Sequence, residues 1–78
     1  MSPFRVEIPS HAKERLKLRG ISREAARKCL AKGDFVGLDV RGRNTKRIRL
    51  GRRTLEVVYL DITGGYLVVT AYWVGVFP

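Results

Sequence analysis

One histidine, eleven arginines and a threonine–tyrosine pair near the C-terminal end are the side chains with the most chemistry to offer. The arginines are not spread evenly. Between Arg41 and Arg53 the chain carries seven basic residues, Arg41, Arg43, Lys46, Arg47, Arg49, Arg52 and Arg53, and no acidic one. Cations packed this densely repel each other, and a polyanion relieves the repulsion. Arginine is also the side chain best shaped for two-pronged contact with phosphate. Seven phosphate contacts would give binding a log–log salt slope of roughly −5 to −6. The stretch that bears the one histidine, with the threonine–tyrosine pair, adds the remaining parts of a metal-free RNA-cleaving kit. Such cleavage needs a base for the 2′-hydroxyl, cations for the charge that builds on phosphorus, and an acid for the leaving 5′-oxygen. His11 and Tyr72 are the candidate proton carriers, with Thr70 beside Tyr72 on the same strand face. Arg15 is the candidate charge stabiliser, and Arg47 and Arg49 the candidate phosphate clamp.

Competing chemistries find little support. The seven acidic residues are scattered, so a two-metal nuclease centre is not expected. No zinc spacing, glycine-rich phosphate loop or nucleophile motif occurs, and neither a metal nor a cofactor is expected. The single cysteine, Cys29, falls on the apolar side of a helix and reads as a small buried hydrophobe.

These residues must be positioned by two kinds of element. Ser10 to Arg19 reads as a helix, with Ser10 as N-cap, Glu14 near its positive end, Arg19 near its negative end and Gly20 to close it. Its turns set Ala12, Leu16 and Arg19 on one side and His11 with Arg15 on the neighbouring strip. Ser22 caps a second helix running to Lys32, in which Ala25, Ala26, Cys29 and Leu30 form an apolar stripe. Two helices joined this closely predict an antiparallel hairpin. Before them, Phe4, Val6 and Ile8 alternate like a brief edge strand, limited by Pro3 and Pro9.

After Asp34 the period changes from 3.6 to 2. A weak strand over Phe35–Val40 leads to the loop Arg41–Asn44. Thr45–Leu50 follows, with Ile48 and Leu50 inward and Arg47 and Arg49 outward. Thr54–Ile62 and Tyr66–Val74 are long strands rich in branched and aromatic residues. Gly64-Gly65 as a two-residue turn would pair Ile62 with Leu67, Leu60 with Val69 and Val58 with Ala71 on the core face. Tyr59, Val57, Thr70 and Tyr72 would then share the polar face.

A chain of 78 residues and 45% hydrophobic content makes one globular domain over 1–78. Its net charge of +9 makes nucleic acid the first partner to consider, and an acidic protein the second. No apolar run is long enough to span a bilayer, no leader is recognisable and no membrane partner is expected. A soluble cytoplasmic protein follows, monomeric or weakly dimeric when free.

Ser10-His11-Ala12, Arg15 and Arg19-Gly20-Ile21-Ser22, together with Leu67-Val68-Val69-Thr70-Ala71-Tyr72, resemble the family called domain of unknown function 4258 (DUF4258). That family is similar to the RelE/ParE toxin superfamily. The resemblance implies an α+β fold: a two-helix N-terminal hairpin packed on one face of a three- to four-stranded antiparallel sheet. It implies His11, Arg15, Arg19, Thr70 and Tyr72 as the site. It also implies a toxin of a toxin–antitoxin system, cleaving RNA, free or on the ribosome, without metal and neutralised by an acidic antitoxin. A non-catalytic basic nucleic-acid-binding module and a ParE-type toxin directed at a protein are the alternatives. For the first of these, Arg19, Arg41, Arg43, Lys46, Arg47, Arg49, Arg52 and Arg53 are the contact residues.

Overall fold

A computed structural model describes residues 4–76. The element order is β1 (Arg5–Glu7), α1 (Ser10–Leu18), α2 (Arg23–Lys32), β2 (Asp34–Leu38), β3 (Asn44–Leu50), β4 (Arg53–Ile62) and β5 (Gly65–Val76). The five strands form one sheet in the order β1-β5-β4-β3-β2. Both helices pack on one of its faces, α1 against β5 and α2 against β3 and β4. The other face carries no helix among the described residues.

The expected fold is corrected in three respects. The sheet has five strands instead of three or four. It is mixed rather than antiparallel, because β1 pairs with β5 in parallel, Arg5 beside Gly65 and Glu7 beside Leu67. And the helices are not the N-terminal element, nor do they lean chiefly on each other: a strand precedes them, and each has its own part of the sheet to cover. Gly65 allows the parallel pair to form. A Cβ there would lie 2.0 Å from the Arg5 carbonyl oxygen, so only glycine lets the two backbones approach.

Local sequence explains the helix ends. The Ser22 side chain accepts a hydrogen bond from the Ala25 N–H at 3.0 Å and caps α2. Ser10 does not cap α1; Pro9 holds the cap position without a side-chain bond, and Ser10 is the first helical residue. The α1 C-terminus closes through Gly20 at φ +65. There the Ile21 N–H donates to Leu16 and the Gly20 N–H to Lys17, the double bond of a Schellman motif. That turn drops Ile21 and Leu16 into the core together.

The core lies between helices and sheet. Ala12, Leu16, Ile21, Ala26, Cys29 and Leu30 meet Val6, Leu55, Val57, Tyr59, Val68 and Ala71. The strand parity is therefore different from the one the double glycine suggests. The hairpin turn is Thr63-Gly64, with Ile62 opposite Gly65, Leu60 opposite Leu67 and Tyr59 opposite Val68. A register shift then leaves Val69 as an extra residue, so that Val58 faces Thr70 and Val57 faces Ala71. That one-residue bulge, and not the place of the turn, exchanges the faces of the β4 side chains relative to Ala71. Leu55, Val57 and Tyr59 go inward, while Val58 and Leu60 go to the open face. The β3–β4 turn also holds two residues, Gly51 and Arg52, because Leu50 pairs with Arg53. Ile48 and Leu50 still pack against the core, and Arg47 and Arg49 are exposed.

Candidate nucleic-acid interface

The open face is built from alternate residues of three strands: Thr45, Arg47 and Arg49 on β3, Glu56 and Val58 on β4, and Thr70 and Tyr72 on β5. The ladder sets Arg47 opposite Glu56 and Glu56 opposite Tyr72. The Arg47 Nε donates to Glu56 Oε1 at 2.5 Å, and the Tyr72 hydroxyl donates to Glu56 Oε2. Glu56 is only 6% exposed. A carboxylate this deep is costly unless its charge and lone pairs are met, and here one guanidinium and one phenol meet them. The hydrogen bond to Glu56, then burial and the same carboxylate's charge, raise the Tyr72 phenol above its ordinary value. It stays a proton donor through neutral pH.

Glu56 engages only the Nε of Arg47, and among the described residues the two terminal nitrogens form no hydrogen bond. The carboxylate thus fixes the plane of a guanidinium whose outer edge is free for a phosphate. Above this floor opens a cleft of about 400 Å³, lined by Val36, Leu38, Asp39, Val40, Thr45, Arg47, Glu56 and Tyr72. Its far wall comes from β2 and the turn after it. Asp39 shapes that turn by accepting the backbone N–H groups of Arg41 and Arg43 and the Arg43 Nε, at 2.7–2.9 Å. The Arg43 backbone bond leads these contacts in holding the Asp39 carboxyl below the usual range.

The expected site residues fall into three groups. Thr70, Tyr72 and Arg47 come together on the open face, and Arg49 follows Arg47 along the same strand. Arg41 and Arg52 sit exposed in the turns at the two ends of β3. A second group serves the fold. Arg19 donates to the Thr70 hydroxyl at 3.0 Å and to the Ala71 carbonyl at 2.8 Å, while its own carbonyl accepts the Trp73 Nε1. It therefore clamps the margin of β5 where β1 stops. Lys46 points to the helix face, donating to the Leu30 carbonyl at the end of α2 and lying over the Tyr59 and Tyr66 rings. Arg43 is paired with Asp39, and Arg53 stacks on Trp73 at 3.8 Å. The third group is His11 and Arg15. Both are exposed on α1, on the helix-covered side of the sheet. From Arg19, which reaches the sheet margin, His11 is eight residues back, about 12 Å of helix axis. The structure does not bring His11 or Arg15 to Tyr72.

Glu56 is not among the residues the sequence points to. Its signal in the sequence is a lone carboxylate inside the apolar run Leu55–Leu60, where a charge needs a partner. Among the tyrosines, Tyr59 and Tyr66 pack edge-to-face in and around the core. Only Tyr72 reaches the cleft.

The fold and the cleft together define a class: a small α+β domain whose mixed sheet is roofed on one side and presents a charged cleft on the other. Within that class the chain belongs to the family described as Domain of unknown function (DUF4258), whose model matches residues 8–73. No curated protein and no solved structure matches the chain. Among the described residues no helix is long and apolar enough to cross a membrane.

Proposed function

We propose that this protein is an RNA-binding module that takes single-stranded RNA along β3 and across the open face of the sheet. The observation that carries the reading is the Arg47 guanidinium, held by Glu56 with its outer edge unoccupied, in line with exposed Arg41, Arg49 and Arg52. β3 itself spans seven residues, roughly 20–25 Å of extended chain, with Arg41 and Arg52 in the turns at its ends, enough to follow several phosphates. The +9 charge supports a polyanion as partner. The test is fluorescence anisotropy of labelled single-stranded RNA over a salt series. With four arginines in contact instead of seven basic residues, the expected slope is about −3. Arg47→Ala with Arg49→Ala should flatten it by about one to two. Binding that ignores these changes, or no binding, overturns the reading and returns the protein-directed alternative.

One observation favours a second reading, metal-independent RNA cleavage of the kind the RelE/ParE resemblance implies. A carboxylate, a phenol and a guanidinium converge in one cleft. Glu56 would accept the 2′-hydroxyl proton as the 2′-oxygen bonds to phosphorus. The bond from phosphorus to the 5′-oxygen would break, and that oxygen would take the Tyr72 proton, leaving a 2′,3′-cyclic phosphate and a 5′-hydroxyl end. Arg47 would offset the charge on the phosphoryl oxygens. On this reading a short acidic antitoxin is the natural partner of so basic a chain. New 5′-hydroxyl ends made by the wild type and His11→Ala, but not by Glu56→Gln, would support it. No ends from the wild type would leave binding alone.

A further inference from the structure

Six large hydrophobic side chains are strongly exposed among the described residues, and four of them, Phe35, Val36, Leu38 and Val40, fall in one six-residue stretch. Leu38 is 64% and Val40 102% exposed. Such a cluster on a small, highly charged chain marks a contact surface. Two kinds of occupant fit an edge strand: another strand, or a ligand that uses the side chains alone.

The backbone argues against a strand. The β2–β3 register breaks between Phe35 and Gly37, and Gly37 sits at φ +124. The Gly37 carbonyl accepts the Thr45 hydroxyl at 2.7 Å, and the Asp39 N–H turns back to the Arg43 carbonyl. A bulged, twisted edge is a poor template for pairing. The side chains, in contrast, are well placed. Val36, Leu38 and Val40 wall the cleft whose floor holds Arg47 and Tyr72. Both carboxylates in the lining are already met, Glu56 by Arg47 and Asp39 by Arg43 and two backbone N–H groups. What remains on offer is an apolar wall, a tyrosine and one oriented guanidinium.

We propose that this cleft is a nucleobase subsite: an unpaired base packs between the Val36–Leu38–Val40 wall and Tyr72 while its phosphate rests on Arg47. The inference rests on the RNA-binding reading and adds its unit of recognition, a single nucleotide with its base out of the stack. Unstacked bases are taken up between apolar and aromatic side chains in this manner. Because the polar atoms of the cleft floor are occupied, the base is held by packing and not read along its edge. Little preference among the four bases is therefore expected.

The test compares two RNA strands of equal length and charge, one with bases and one with abasic ribose at every position. Binding is measured for the wild type, for Leu38→Ser/Val40→Ser, and for Leu18→Ser as a matched exposed control on α1. The wild type and the control should prefer the base-bearing strand by about tenfold, and the double variant should lose most of that preference while binding the abasic strand as before. All substituted side chains are exposed, so folding is not at stake. Equal wild-type affinity for both strands overturns the subsite and leaves RNA binding standing. Failure of both strands to bind removes the underlying reading as well. Wild-type self-association in sedimentation, abolished in the double variant with the base preference unchanged, would assign the wall to a second copy and overturn the proposal.

Discussion

The two faces of one sheet use the same strands for opposite purposes. Under the helices, β4 contributes Leu55, Val57 and Tyr59, and the polar groups present are tied to backbone. Lys46 ends on the Leu30 carbonyl, and the Cys29 thiol donates to the Lys46 carbonyl at 3.4 Å. Burial pushes the Cys29 thiol up to about 11, as expected of an inert packing residue. On the open face, one residue along the same strand, Glu56 binds side chains from both neighbouring strands. The covered face spends its polar atoms on holding the fold. The open face arranges polar atoms around a space. That contrast separates structural cations from available ones better than charge density does, since Lys46, Arg43 and Arg53 lie in the same basic run as Arg41, Arg47, Arg49 and Arg52.

The contrast can be broken or sharpened in order of expected effect. Leu30→Ala empties a fully buried site beneath α2 and should lower unfolding free energy by about 2–5 kcal/mol in urea titrations, a large share of what so small a domain has. Glu56→Gln should cost less, about 1–3 kcal/mol, because Arg47 can turn to water when its partner's charge is gone. It should also loosen the Arg47 plane and weaken RNA binding, which Leu30→Ala should not do at temperatures where it is folded. A cost for Glu56→Gln equal to that of Leu30→Ala would make the open face a second core. The third measurement uses pH. The Tyr72 phenol is raised in the folded state, so its contribution is complete below its unfolded value of about 10 and lost as pH rises through the higher folded value. Tyr72→Phe should therefore lose stability less steeply than wild type above pH about 10. Smallest of all, His11→Ala should change stability by under about 0.5 kcal/mol and leave RNA affinity unchanged. A clear loss of binding there would restore the histidine-bearing helix to the site.

Much of this was legible in residue types. Ser22, Gly20 and the Ala26–Leu30 stripe mark the helices because capping and amphipathic spacing are local. The inward–outward alternation of Arg47 to Leu50 is local too. What stayed hidden depends on distant partners. Nothing near Arg5–Glu7 says that β1 runs parallel to β5. The turn is Thr63-Gly64 instead of Gly64-Gly65, which moves the pairing by two residues and keeps parity, but the Val69 bulge changes parity partway along β5. That bulge hides Glu56, which either face could hold on sequence grounds, and turns Tyr59 into the core. Thr70 and Tyr72 share a face because they are two apart, and they share it with Arg47 because Arg47 and Tyr72 both stand opposite Glu56. The sequence case for His11 is its chemistry alone, and helix geometry does not bring it to the cleft.

The pairing of β1 with β5 has a kinetic consequence. The three residues Arg5–Glu7 wait for a strand that begins at Gly65, so closing that contact costs the entropy of a loop of nearly sixty residues. Hairpins of neighbouring strands can zip early, but the first strand docks only once residues 65–67 are available to pair with it. Folding of this domain is thereby slowed by its longest connection more than by its helices.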